Sequence, residues 1–164
     1  MEPILSQSCH FLSSNKSLEN YSSFDEETIQ ELEDNSELKT RLEAIRLKAG
    51  ELMDLGDVSD MTIPKMCLIA PPRNGGIIST RTFIPHRVHQ AVGVLAAASD
   101  AAGCMFLGGV AAGMAEFEET NPCRVNVEHP TGALTVELEW EGETVTRTAL
   151  LRTARKLMDG MVYL

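Results

Sequence analysis

The sequence predicts an α+β fold in which strands are wrapped around one central buried helix, with an acidic helical segment before them. Between Ala91 and Gly103 only Asp100 is charged, and the remaining residues are apolar, small or neutral, so a helix there has no broad polar face for solvent. Residues 125–140 alternate apolar and polar side chains, which is typical of half-buried strands. We expect about six to eight strands, many of them antiparallel, to cover the helix.

Charge is distributed unevenly along the chain, whose 164 residues carry a net charge of −10. Residues 1–60 contain 14 acidic and 5 basic side chains, whereas residues 61–164 contain 10 acidic and 9 basic ones. Within residues 61–115 four bases stand against Asp100 alone, so a ligand bound there is expected to be an anion. The chain has no basic run, which argues against a nucleic-acid partner.

The cysteines and the N-terminal residues indicate a cytoplasmic protein. No Cys-x-x-Cys pair occurs, so we interpret the cysteines as reduced thiols and expect no metal site. No basic region precedes a long apolar run at the start, so a secretory signal is not expected. Residues 91–115 are long and apolar enough to raise a membrane span as an alternative, but Asp100 and the lack of flanking aromatic anchors argue against it. The four cysteines are Cys9, Cys67, Cys104 and Cys123.

The N-terminal part divides into two segments before the main domain, which we place at 61–164. Residues 1–23 are rich in Ser and Asn without a period, so we expect a disordered or foreign extension. Residues 24–60 are expected to form one or two acidic amphipathic helices, capped by Ser23 or Asp25, broken near Asn35 and ending before Gly56. Their apolar face has helical spacing and consists of Leu38, Leu42, Ile45 and Ala49.

The centre of the chain predicts two strands and the buried helix. Residues 61–70 end in a continuous apolar run that suits a strand buried on both faces, and residues 77–82 resume as a second strand after a Pro- and Gly-rich loop. Pro85 fits the first turn of a helix, which we expect to run from about 86 to 103. The glycine-rich residues 104–113 are expected to form a loop or a short strand.

The C-terminal part predicts a series of antiparallel strands. A strand through Val125 and Val127 leads into the turn Glu128-His129-Pro130-Thr131-Gly132. The next strand has one apolar face, and Glu141-Gly142-Glu143 closes a hairpin to a return strand from Val145. Gly160 and the final Met-Val-Tyr-Leu favour a last strand within residues 150–164. The apolar face consists of Leu134, Val136, Leu138 and Trp140.

Four segments, in this order, resemble the C-terminal half of PrpF proteins, a family that includes 2-methylaconitate cis-trans isomerase and 4-oxalomesaconate tautomerase. No single one of them is specific; the four in order are. The resemblance covers roughly residues 25–164. The segments are Pro64-Lys65-Met66 through Ala70-Pro71-Pro72, Ser79-Thr80-Arg81 through Pro85-His86 and His89, Glu128-His129-Pro130-Thr131-Gly132, and Leu151-Arg152-Thr153-Ala154-Arg155-Lys156-Leu157-Met158-Asp159-Gly160.

This resemblance implies the diaminopimelate epimerase fold, in which two similar halves each wrap strands around a helix and the active site lies between them. It also implies a proton shift next to a carboxylate on an unsaturated di- or tricarboxylic acid, without metal or organic cofactor. The family's catalytic lysine and cysteine belong to the N-terminal half, so neither Lys65 nor Cys104 takes those roles by position. In the epimerases each half offers a cysteine at its helix start, where this chain has Pro85 and His86.

The candidate substrate-binding residues are Arg73, Ser79, Arg81, Pro85 and His86. Arg73 follows a Pro-Pro turn and can clamp a carboxylate, while Ser79 and Arg81 share one face of their strand. The expected helix start at Pro85 and His86 offers backbone N–H groups to an anion. His86 is also a candidate acid or base, although such histidines more often only form hydrogen bonds.

Two further histidines and two functions remain open at this point. His89 is interpreted as a structural histidine, and His129 either reaches the cleft or stabilises its turn. The first function is the C-terminal half of a PrpF-type isomerase, inactive without a complementary N-terminal half. The second is a non-catalytic module that binds carboxylates or associates with itself. Either function expects a small anionic carboxylate as ligand.

Overall fold

The computed structural model describes residues 10–13, 27–106, 109–111, 114–115, 120–142 and 144–162. Within these residues the chain forms a mixed α+β structure with one sheet. Its elements are β1 (His10–Ser13), α1 (Ile29–Asp34), α2 (Ser36–Leu52), β2 (Met66–Ala70), β3 (Ile78–Phe83), α3 (Val94–Gly103), β4 (Cys123–His129), β5 (Gly132–Glu141) and β6 (Thr144–Leu150).

The six strands lie side by side in the order in which the chain makes them, from β1 to β6. The pairs β2–β3, β4–β5 and β5–β6 are antiparallel, whereas β1–β2 and β3–β4 are parallel. The parallel contact between β3 and β4 is short, with Ile78 opposite Val127 and Ser79 opposite Glu128. This contact joins the two halves of the sheet. The connection between β3 and β4 contains α3, as a crossover between parallel strands usually does.

β2 is buried along its whole length, which confirms the strand predicted from its apolar run. Successive side chains point to opposite faces, so Cys67 and Ile69 enter the core under α3. Met66 and Leu68 enter a second core on the other face of the sheet. The sheet therefore has two covered faces at β2 and β3, and both need an apolar layer.

α3 covers the first face and is buried from Ala96 to Ala102, as the small-residue pattern predicts. Its alanines pack against strand residues of β4 and β5, including Val125, Val136 and Leu138. Small side chains let the helix axis approach the strands closely. Because little of the helix then faces water, its middle turns need few polar side chains. Val94 and Leu95, by contrast, are 43% and 64% exposed at the helix start.

α1 and α2 cover the second face of the sheet. Leu32, Leu38 and Leu42 pack with strand residues Met66 and Phe83. The predicted helices and their break near Asn35 are confirmed, since Asn35 ends α1 and caps α2 by accepting the Leu38 N–H. The cap of α1 is Thr28, which forms a capping box with Glu31. Ser23 and Asp25 lie outside the described residues.

Arg46 fastens α2 to the segment that leads into β2. Its side chain is fully buried, and Nη1 donates to the carbonyl oxygens of Val58, Met61 and Ile63 at 3.0, 3.2 and 2.6 Å. Nε and Nη2 form a fork on the Glu43 carboxylate at 2.7 and 2.8 Å. A planar guanidinium satisfies all of these acceptors at once, which an ammonium group does not.

The start of the central helix was predicted wrongly, because α3 begins at Val94 and not near residue 86. After β3 the chain makes a turn in which the Ile84 N–H donates to Arg87 O at 2.9 Å. It then returns along β3, with Val88 bridging Phe83 and the His89 N–H donating to Thr82 O at 2.8 Å. Pro85 fixes φ equally well in a turn and in a first helical turn, so its presence did not distinguish the two.

The expectation of a last strand at the C-terminal end was wrong for the described residues. The Leu151 N–H donates to Thr135 O at 3.0 Å, and residues 151–162 then form neither helix nor strand. Within residues 1–23, the described residues His10–Ser13 form β1 parallel to β2. Of the glycine-rich stretch, the described residues from Cys104 to Ala111 form turns. In the described part of the chain no helix is long and apolar enough to cross a membrane.

Candidate functional site

A loop between β2 and β3 is held by one buried carboxylate. Glu128, at the end of β4, is 4% exposed and accepts three backbone N–H groups. Oε2 lies 2.9 Å from the nitrogen of Arg73, and Oε1 lies 2.7 and 2.8 Å from those of Asn74 and Gly76. The loop that carries Arg73 is thus positioned by a side chain far away in sequence.

The electrostatics of Glu128 favour its ionised form. Burial raises the pKa of the carboxyl, but the N–H donors of Arg73, Gly76 and Asn74 outweigh burial and lower the pKa below its ordinary value of 4.5. Gly76 is required by this packing, because a Cβ there would lie 2.6 Å from Asn126 O and 2.6 Å from Glu128 Cγ. The glycine lets the loop backbone close over the carboxylate.

β3 contributes Ser79 and Arg81 on one face, as predicted from the alternation of a strand. Arg81 is 8% exposed, and its Nη1 donates to Ser79 Oγ at 3.3 Å and to Thr80 O at 2.9 Å. Thr80 Oγ1 donates to the carbonyl oxygen of Glu128 at 2.6 Å. The Arg81 guanidinium is therefore a buried cation near the end of β4, the strand that ends at His129.

His129 follows Glu128 and lies within electrostatic reach of Arg81 and His89. Burial lowers the pKa of His129 below its ordinary value of 6.5, and the charges of Arg81 and His89 lower it further. The Thr131 backbone N–H donates to His129 Nδ1 at 3.3 Å. In the neutral ring that contact places the proton on Nε2, so His129 is a hydrogen-bond donor at neutral pH.

The segment that returns along β3 completes this group. Thr131 Oγ1 donates to Gln90 O at 2.9 Å, and His89 Nδ1 lies 2.6 Å from Ala91 O. The β4–β5 turn and the segment before α3 are therefore in direct contact. We call the group formed by Ser79, Arg81, His89, His129 and Thr131 the Arg–His cluster.

The structure separates the five predicted site residues into two groups. Ser79 and Arg81 belong to the Arg–His cluster, and the loop of Arg73 is tied to the same end of β4 through Glu128. Pro85 and His86 lie beyond the other end of β3, where His86 is 56% exposed and its Nδ1 lies 3.7 Å from Glu43 Oε2 on α2. They do not form a helix start, because α3 begins at Val94, so the backbone N–H groups on which the expected anion site depended are not there.

Two contributions were missed by reasoning from the sequence. Glu128 was treated as part of a turn, although a glutamate before His-Pro-Thr-Gly together with a Gly-Gly loop is a pattern suited to a buried backbone acceptor. His89 and His129 were considered singly, and their proximity depends on the return of residues 88–91 along β3. Within the described residues, no group of three or more His, Cys, Asp or Glu side chains is placed to hold a metal ion.

Cys104 is the C-cap of α3, and its thiol is buried. Its Sγ donates to Asp100 O at 3.2 Å. Burial, and then the charge of Asp100, raise the pKa of Cys104 to about 12. A thiol in that state is a poor nucleophile and a poor base at neutral pH, so Cys104 has a structural role here.

Comparison with known proteins relates the chain to one family. The family model described as "PrpF protein" matches residues 21–164. The chain is 51% identical over 136 residues to 4-oxalomesaconate tautomerase of Pseudomonas putida, covering 83% of this chain and 38% of that protein. It is 51% identical over 133 residues to (4E)-oxalomesaconate Delta-isomerase of a Novosphingobium species, covering 80% and 37%.

A third relative and one solved structure agree with this. The putative isomerase YbhH of Escherichia coli is 42% identical over 136 residues, covering 82% of this chain and 38% of its own length. The crystal structure of methylitaconate-delta-isomerase superposes with a TM-score of 0.76 at 18% identity, covering 93% of this chain and 43% of that one, so it shows the fold. The chain spans a little over a third of the relatives' length, and it belongs to the PrpF family.

Proposed function

We propose that this chain is the C-terminal part of a PrpF-type isomerase and binds an aconitate-like unsaturated di- or tricarboxylic acid through the Arg–His cluster. The observation that carries the proposal is the buried guanidinium of Arg81 within electrostatic reach of the neutral His129, at the end of β4 that also holds the loop of Arg73. Three relatives are named as isomerases or tautomerases, two of them for oxalomesaconate. Their names supply the reaction class, and the cluster supplies the means of binding.

The binding chemistry follows from the groups present. The Arg81 guanidinium places a positive charge at this end of the sheet, and its burial strengthens the attraction of a carboxylate relative to water. His129 in its Nε2–H form adds a neutral donor without the cost of a second buried charge. The carboxylate oxygens of Glu128 are directed to the three N–H groups of the loop. An anion is therefore the ligand that the cluster suits.

The start of α3 follows the cluster closely in sequence. Gly93 caps the helix without a side-chain hydrogen bond, and two positions before it the Ala91 N–H donates to His89 Nδ1. Unpaired N–H groups at a helix start carry a partial positive charge, which favours an anion.

The reaction class needs more groups than these residues provide. A tautomerisation breaks one C–H bond and forms another C–H or an O–H bond, so one group accepts a proton and a group donates one. The described residues of the Arg–His cluster bind and orient a carboxylate, and we infer that the proton-transferring groups lie in the part of the PrpF chain that this sequence does not span. A diaminopimelate epimerase-like arrangement of two halves fits that division of roles.

Ligand binding tests the proposal directly. Cis-aconitate should raise the melting temperature of the chain and bind in titration calorimetry, whereas acetate should not. Arg81→Lys, which keeps the charge but loses the fork, should weaken cis-aconitate binding about tenfold. Glu141→Gln, an exposed change on β5, serves as the control and should leave binding unchanged. Equal affinity for Arg81→Lys and the unaltered chain would remove the cluster from the site.

Proton exchange in deuterated water separates catalysis from binding alone. The chain by itself should bind cis-aconitate without exchanging its carbon-bound protons, because no proton-transferring pair is assigned in it. Exchange should appear when the missing part of a PrpF protein is supplied. Binding with no exchange in either case would favour the alternative, a non-catalytic carboxylate-binding module.

A further inference from the structure

Residues 88–91 run back along β3 and bring His89 into the Arg–His cluster, and we call them the return segment. They belong to none of the described helices or strands. The His89 N–H donates to Thr82 O at 2.8 Å, and Gln90 O accepts from Thr131 Oγ1 at 2.9 Å. A segment outside regular structure is held by individual contacts of this kind, so each of them bears on the position of His89.

Glu33, in the last turn of α1, makes the contact at the start of the return segment. Its Oε1 lies 2.5 Å from the Val88 nitrogen, and its Oε2 lies 2.5 Å from Lys39 Nζ on α2. The side chains of Glu33 and Lys39 are only 24% and 25% exposed. One carboxylate, partly withdrawn from water, therefore joins both acidic helices to the return segment.

The charge of Glu33 strengthens this contact. Burial raises the pKa of the carboxyl, but Lys39, the Val88 N–H and the charge of Arg87 together lower it below its ordinary value of 4.5. Glu33 is therefore ionised at neutral pH, and a backbone N–H binds a carboxylate more strongly than a neutral acceptor. The Val88 side chain is also buried, in the same core as Leu32 of α1. Both the N–H and the side chain of Val88 are thus fixed on α1.

We propose that Glu33 is a positioning residue of the ligand site, which holds the return segment so that His89 stands in the Arg–His cluster. The inference rests on the proposed function and adds to that site a group on the acidic helices. Glu33 is not a member of the cluster, and it acts on the ligand through the backbone of Val88. Without this acceptor the return segment can move away from β3, and His89 moves with it.

Two substitutions of Glu33 separate its hydrogen bond from its charge. Glu33→Ala removes both, whereas Glu33→Gln removes the charge but keeps an oxygen that accepts the Val88 N–H. In titration calorimetry we expect cis-aconitate affinity to fall about tenfold for Glu33→Ala and to stay within about twofold for Glu33→Gln. Glu51→Ala is the matched control, since it removes an exposed carboxylate that pairs with Lys48 on α2, and its affinity should be unchanged.

The pKa of His129 gives a second measurement that needs no ligand. Burial, and then the charges of Arg81 and His89, lower this pKa. Departure of the return segment removes cover and a neighbouring charge from His129, and both changes raise the pKa. NMR titration should therefore show a higher His129 pKa in folded Glu33→Ala but not in Glu33→Gln. Exchange of the Val88 and His89 amide protons should also accelerate in Glu33→Ala alone. A purely stabilising role would lower the melting temperature without moving the His129 pKa.

Two outcomes would overturn the positioning role. One is a His129 pKa in folded Glu33→Ala equal to that of the unaltered chain, and the other is a loss in Glu33→Gln as large as in Glu33→Ala. Glu33→Met, which keeps the side-chain length and the helix propensity but has no oxygen acceptor, replaces Glu33→Ala if the alanine variant does not fold. Absence of cis-aconitate binding by the unaltered chain would refute the proposed function instead. The His129 pKa and the amide exchange are measured without ligand, so the two failures are distinguishable.

Discussion

The Glu128 carboxylate lies 2.9 Å from the backbone nitrogen of Arg73, although 55 positions separate the two residues in sequence. This hydrogen bond and those from the Asn74 and Gly76 N–H groups let the buried Glu128 carboxylate hold the loop in position. The position of the loop backbone at Arg73 therefore depends on a residue at the end of β4.

Replacement of Glu128 by Gln should lower the free energy of unfolding by about 1–3 kcal/mol, because three N–H groups lose a charged acceptor. Denaturant unfolding at pH 7 measures the effect. Hydrogen exchange at the Arg73, Asn74 and Gly76 amides should accelerate in the same variant. Glu141→Gln is the control, and an equal loss of stability in both would contradict the role of Glu128.

Acid should destabilise the chain partly through Glu128. The folded pKa lies below the unfolded value near 4.5, so the unfolded chain binds the proton more readily. The stability that Glu128 contributes is complete above the unfolded pKa and is lost as the pH falls through the folded pKa. Glu128→Gln should therefore show a shallower loss of stability below about pH 4.5 than the unaltered chain. Parallel acid limbs in unfolding curves would count against this.

Gly76→Ala should cost about 1–3 kcal/mol of stability, because the added methyl group lies 2.6 Å from Asn126 O and the neighbouring backbone has to move. Gly160→Ala is the matched control, since a Cβ there meets nothing within 4 Å. Thermal unfolding compares the two. A melting temperature for Gly76→Ala as high as that of the control would show that the loop yields easily.

Arg46→Met should destabilise the chain by about 3–5 kcal/mol, because three carbonyl oxygens and the Glu43 carboxylate lose their buried donor. Arg147→Met is the comparison, since Arg147 pairs with Glu137 and Glu139 at an exposed site. That change should leave the stability nearly unchanged, because solvent-exposed ion pairs contribute little. Similar losses for both variants in urea unfolding would contradict the clamp described for Arg46.

The pKa of His129 should lie below 6.5 in the unliganded chain and rise when cis-aconitate binds, because a bound anion stabilises the imidazolium. Titration of the histidine ring signals by NMR measures both values, with His129→Asn to assign the signal. The ring signals of His86, which lies beyond the other end of β3, should not respond to the ligand. A His129 titration that ignores cis-aconitate would place the anion elsewhere.

Strands β2 to β6 were predictable because an apolar run or an apolar–polar alternation is a local pattern, whereas β1 and the irregular structure of residues 151–162 were not predicted. On β5, Val136 and Leu138 face the hydrophobic core, and β2 is buried on both faces, as their sequences indicate. The Arg–His cluster was only partly predictable. Ser79 and Arg81 share a strand face, but His89 comes within electrostatic reach of His129 only because residues 88–91 return along β3. Pro85 led to a wrong helix start because a turn and a first helical turn accept proline equally.

Hydrogen bonds hold the segment between β3 and α3 to two other parts of the chain, α1 and the β4–β5 turn. The Val88 N–H donates to the Glu33 carboxylate on α1 at 2.5 Å, and Gln90 O accepts from Thr131 at 2.9 Å. A fragment engineered to begin at residue 61 would lose the first fastening and uncover Met66 and Phe83 as well. For domain grafting or circular permutation, a breakpoint at residue 61 is therefore unsuitable, because the acidic helices have to travel with β2 and β3 as one transplantable unit.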